Sequence, residues 1–78
     1  MWLKLTIIEN YDEEKKQWVE WSPSEFIIIN LADVMIFHDD YPNVQIVMRC
    51  KMPSINSEMV RVLESIDEIW TMIHATQT

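Results

Sequence analysis

The sequence predicts an α+β fold: a small antiparallel β-sheet of five to six strands with one short C-terminal helix packed on it. Three observations lead there. Apolar and polar residues alternate along several short segments, the period of a half-buried strand. Turn-forming residues separate those segments at short intervals. One capping box, Ser65-Ile66-Asp67-Glu68, opens the only stretch with helical spacing. At 78 residues the chain makes one small domain, 1–78, with no room for a second.

The first strand covers about 2–9, with Leu3, Leu5 and Ile7 on one face and Lys4 and Thr6 on the other. Residues 10–16 form a polar hairpin loop, where Asn10 and Asp12 are best suited to a positive φ because the chain has no Gly. A second strand, 17–21, carries Trp18, Val19 and Trp21, and Ser22-Pro23-Ser24 ends it. The β-branched run Phe26-Ile27-Ile28-Ile29 reads as a third strand, 26–30, covered on both faces. Asn30 then caps the Asp33 N–H over one helical turn before a fourth strand at 34–38. Asp39-Asp40-Tyr41-Pro42-Asn43 is a turn. The clearest strand follows at 44–51, its Val44, Ile46, Met48 and Cys50 pointing one way. A loop at 52–57 leads to a sixth strand at 59–64, with Val60 and Val62 on one face. The helix covers about 66–74, and Ile66, Ile69, Trp70 and Ile73 make its apolar stripe.

From Phe26 onward the pattern resembles the FlbD family of small bacterial proteins, also met in phage-like genomes. The residues that carry the likeness are Phe26-Ile27-Ile28-Ile29-Asn30, Val34, Ile36 and Val44-Gln45-Ile46. The closing run from Val60 through Ile69 continues it, and Lys4-Leu5-Thr6 is similar to the family's opening strand. The resemblance implies the same β-rich fold and, by the family's association with flagellar operons, a flagellar or regulatory accessory role. It carries over no functional residue.

Composition narrows the function classes. Thirteen acidic residues against six basic ones give a net charge of −7, and the bases are scattered. A surface that neutralises phosphates needs clustered cations, so direct nucleic-acid binding is not expected. An acidic nucleic-acid mimic is a weaker alternative, because the carboxylates gather at turns and are interrupted by Lys15, Lys16 and Arg49. The absence of Gly excludes Gly-rich phosphate loops, and the single Cys excludes an intrachain disulfide or a multi-cysteine zinc site. Residues 1–10 lack the pattern of a secretory signal and no run is long enough to span a membrane, so a cytoplasmic protein is expected.

No catalytic set emerges, and no enzyme activity, cofactor or metal is expected. His38-Asp39-Asp40 places an imidazole beside two carboxylates, but neighbouring strand residues point to opposite faces. Cys50 with His38 or His74 would suggest a thiolate nucleophile, but Cys50 continues the apolar face of Val44, Ile46 and Met48 and reads as a small buried hydrophobe. The acidic pairs at 12–14, 39–40 and 67–68 lie in turns or at a helix start, where solvation and capping account for them.

The aromatics are in surplus. Trp70 belongs to the helix stripe and hence to the core, while Trp2, Trp18 and Trp21 cannot all share one small interior. A chain that is 49% apolar in so small a domain calls for a second copy of itself as a cover. An indole pocket stacking on a flat group such as a nucleobase is the other use, compatible with the first if it lies between subunits. The candidate ligand-binding residues are Trp2, Trp18, Trp21, Arg49 and Arg61, with Lys51 a further cation. Together these observations lead to the expectation of a non-catalytic homo-oligomeric binding protein of phage or mobile-element type. It would inhibit a host defence system by sequestering a small nucleotide-like molecule or by docking on a host protein.

Overall fold

The computed structural model describes residues 1–52 and 57–76. Five strands are followed by one helix: β1 (Trp2–Asp12), β2 (Gln17–Asn30), β3 (Val34–Asp40), β4 (Asn43–Met52), β5 (Ser57–Val62) and α1 (Ile66–Thr76). The strands form one sheet in the order β2-β1-β5-β4-β3, and every neighbouring pair is antiparallel. The α+β class and the single C-terminal helix are as the sequence predicts.

The expected second and third strands are one strand, β2. Pro23 does not break it, because β2 lies at the sheet edge and its outer side has no ladder bond to lose. The irregularity is absorbed locally. Ile7 pairs with Glu25 and Glu9 with Glu20, so residues 21–24 bulge out opposite Ile8 alone. The hairpin turn between β1 and β2 is shorter than expected, and its positive φ (54°) falls on Lys16 instead of Asn10 or Asp12. Asp12 serves the turn differently: its Oδ1 accepts from the backbone N–H groups of Glu14 and Lys15 at 3.0 and 3.1 Å. The single helical turn at Leu31–Asp33 is present, but Asn30 Oδ1 accepts from the Ala32 N–H (3.1 Å) and not from Asp33. Between β3 and β4 only Tyr41 and Pro42 intervene. Residues 53–56 of the expected 52–57 loop lie outside the described residues.

One face of the sheet builds the core. Leu3, Leu5 and Ile7 of β1, Ile29 of β2, Val44, Ile46 and Met48 of β4, and Val60 and Val62 of β5 are all buried, and Ile69 of α1 closes over them. The alternation read from the sequence holds for β1, β4 and β5. It fails in two places. Phe26 and Ile28 are exposed while Ile29 is buried, so the isoleucine run is covered on one face and not on both. Cys50 is exposed, because β4 and β5 lose register between Val47 and Met52 and the inward alternation ends at Met48.

The helix docks through Ile69, with Ile66, Met72 and Ile73 packed beside it. Trp70 is not core: it is 60% exposed and its ring lies 4.3 Å from that of His74, one turn on. Consecutive helical residues differ by about 100° around the axis, so once Ile69 points straight at the sheet Trp70 is turned aside. The capping box forms as read. Ser65 Oγ accepts from the Glu68 N–H (3.2 Å) and Glu68 Oε1 accepts from the Ser65 N–H (3.3 Å). Ser65→Ala is therefore expected to cost about 1 kcal/mol. Circular dichroism should read this as a fall of about 4–8 °C in the thermal midpoint.

Candidate functional site

The sheet face turned away from α1 carries the side chains of interest, and two groups on it are distinct. The first is centred on Arg61, on the middle strand β5. Glu9 is its register partner on β1 and Gln45 its partner on β4. The guanidinium donates from Nη1 to Glu9 Oε1 at 2.7 Å and from Nη2 to Asp40 Oδ2 at 3.1 Å. It also lies over the Trp18 ring, 4.2 Å from the centroid, and Tyr11 meets that ring edge-on at 5.5 Å and 75°. Arg61 thus gathers groups from β1 and from both edge strands, β2 and β3. Its Nε is buried with no hydrogen-bond partner among the described residues.

Charge explains why an arginine stands there. Glu9 faces Glu20 directly across the β1–β2 ladder, and like charges so placed destabilise a sheet. The planar fork neutralises Glu9 while reaching Asp40 with its second nitrogen, which an ammonium cannot do from one position. In this arrangement the cation is already committed to carboxylates within the chain.

The second group lies toward the other end of the β1–β2 ribbon, reaching out to Trp2, seven residues along β1 from Glu9 and so roughly 23 Å away. Trp2, Phe26 and Ile28 stand on adjoining strands, in the register Trp2↔Asn30, Lys4↔Ile28 and Thr6↔Phe26. They are 67%, 68% and 64% exposed. The Lys4 ammonium covers part of this surface, 4.4 Å from the Phe26 ring centroid.

The five candidate residues therefore do not converge. Trp18 and Arg61 meet. Trp2 is on the same face but distant, and Trp21 packs beside the core. Arg49 is exposed and forms no ion pair among the described residues, while Lys51 lies 3.8 Å from Glu13. Among the described residues, His38, Asp39 and Asp40 included, no three His, Cys, Asp or Glu side chains gather where they could hold a metal ion.

Sequence reading missed Glu9, Tyr11, Asp40, Phe26 and Ile28. Strict alternation from Leu3, Leu5 and Ile7 would put Glu9 and Tyr11 in the core. The extra residue at Ile8 turns them to the outer face, and the signal was the Ile7-Ile8 doublet ahead of a glutamate. No described helix is long and apolar enough to cross a membrane. No family model, curated protein or solved structure matches the chain.

Proposed function

We propose that this chain is a non-catalytic binding protein that works as a homo-oligomer, with the free β2 edge of the β1–β2 ribbon and the apolar side chains beside it at the seam between copies. The observation that carries the reading is the exposure of Trp2, Phe26 and Ile28 together, on the sheet face that α1 leaves bare. Side chains of this size leave on the order of 400 Å² of apolar surface in water, comparable to the largest patch on a typical monomer, which is often functional.

The same seam suits a flat, nucleotide-like molecule. An indole at its edge stacks on a base, and Lys4 is the cation nearest to hand for a phosphate. A phage or mobile element would use such a protein against host defence by withholding that molecule. Sedimentation and native mass spectrometry of the protein purified from cells test both parts. The expected result is a multimer at micromolar concentration whose tryptophan fluorescence is quenched by nucleotides. In Phe26→Lys, association should weaken by about tenfold or more. A single sedimenting chain, indifferent to every nucleotide in a thermal-shift panel, overturns the reading.

A further inference from the structure

We infer that copies of this chain join by pairing β2 edge to edge, antiparallel, about a two-fold axis through Ile27; the inference rests on the homo-oligomer reading and specifies its geometry. The backbone gives the first argument. The Leu31 N–H donates to the Met1 carbonyl at 2.9 Å, which makes Met1 and Leu31 a hydrogen-bonded pair of the β1–β2 ladder. Such pairs alternate along an antiparallel ladder, so Leu3–Ile29, Leu5–Ile27 and Ile7–Glu25 are hydrogen-bonded pairs as well. Thr6 agrees, since it faces the other way: its carbonyl accepts from the Leu63 N–H and its N–H donates to Glu64 Oε1. The N–H and C=O groups of Phe26 and Ile28 therefore point outward from the sheet edge, and no described residue pairs with them.

Edges left like this are templates for another strand, and proteins blunt the ones they do not use. The opposite edge is blunted here: β3 is seven residues long, loses register between Val34 and Ile36, and ends in His38-Asp39-Asp40. The far half of β2 is blunted by Pro23 and the bulge at 21–24. Between Glu25 and Asn30 neither device is present. That stretch is also where two chains of net charge −7 meet with least repulsion, because no charged residue occurs from Phe26 to Ala32.

Register selects the partner as a second copy. Facing residues in an antiparallel pair share a sheet face, so a symmetric pairing must centre on a residue. Centred on Ile27, it sets Phe26 of each copy against Ile28 of the other, an aromatic–β-branched pair made twice on the outer face. It also joins all the outward N–H and C=O groups of Phe26 and Ile28. Centred on Ile28, it would set Phe26 against Asn30; centred on Phe26, it would set Ile28 against Ser24. Only the Ile27 register gives both apolar side chains apolar partners.

Cysteine scanning tests this on the full chain in a Cys50→Ser background. Ile27→Cys faces itself at a non-hydrogen-bonded pair, about 4.5 Å between Cα atoms, within disulfide reach. It should oxidise to a covalent dimer on a non-reducing gel. Ile28→Cys, offset by two residues from its own copy, should stay uncrosslinked. Separately, Ile28→Pro removes one outward N–H without touching the β1 ladder, and should weaken association by about tenfold or more with the β-sheet circular dichroism retained. If the wild type is a multimer but Ile27→Cys stays uncrosslinked and Ile28→Pro associates normally, the edge pairing is wrong while the oligomer stands. A monomeric wild type overturns both.

Discussion

Truncation of Leu5 to Ala is expected to remove about 2–5 kcal/mol of stability. A domain of 78 residues has about 4–12 kcal/mol to lose, so this single change should remove a large share of its stability. Leu5 is wholly buried at the middle of β1, directly across from Ile27. Its strand is the one that ties β2 to the rest of the sheet, through β5 on its other side. A cavity there loosens both pairings, and with Ile69 the one α1 residue in the fully buried set among the described residues, there is little nearby to collapse into the gap. Urea titration followed by circular dichroism should show the midpoint fall. Met35→Ala, on an exposed side chain of β3, should stay within about 0.5 kcal/mol of the parent. A Leu5→Ala protein as stable as its parent would mean that β1 does not turn Leu5 into the core.

The sequence makes β1, β4, β5 and the capped helix legible because in each a single physical rule acts alone: period-2 alternation, or Ser65 and Glu68 satisfying each other's N–H. It fails where two rules compete. Pro23 is a strand breaker except at an edge, and nothing local says that β2 is an edge. Phe26-Ile27-Ile28-Ile29 has no alternation to read, since every position is apolar; which face is bare depends on where α1 docks. Trp70 fits the helix stripe by spacing, yet Ile69 and Met72 take the inward positions. The Arg61 cluster is the least legible part. Its members come from four strands and meet only because the Ile8 bulge puts Glu9 and Tyr11 on the same face as Arg61. Trp18 and Arg61 can each be singled out from the sequence; that they touch depends on register.

Removal of Arg61 is the informative test of that cluster. Its side chain is 19% exposed, against 30% for Glu9 and 47% for Asp40. That is more shielded than the surface pairs worth about 0–1 kcal/mol, and less than the wholly buried pairs whose breakage costs about 3–5 kcal/mol. Arg61→Ala should accordingly cost about 1–3 kcal/mol. The loss has three parts: an uncompensated Glu9 facing Glu20, a freed Asp40, and the cation–π contact with Trp18. Lysine should recover only a fraction, because one ammonium cannot meet both carboxylates and stack on the indole. If charge imbalance is the main cost, Arg61→Met combined with Glu9→Gln and Asp40→Asn should return to within about 1 kcal/mol of the parent. A double-mutant cycle between Arg61→Ala and Trp18→Phe, read by urea titration, isolates the stacking part; coupling of about 0.5 kcal/mol or more is expected. Coupling indistinguishable from zero, with Arg61→Ala fully stable, would mean that Arg61 is not held by these carboxylates in solution and is free for an anionic ligand.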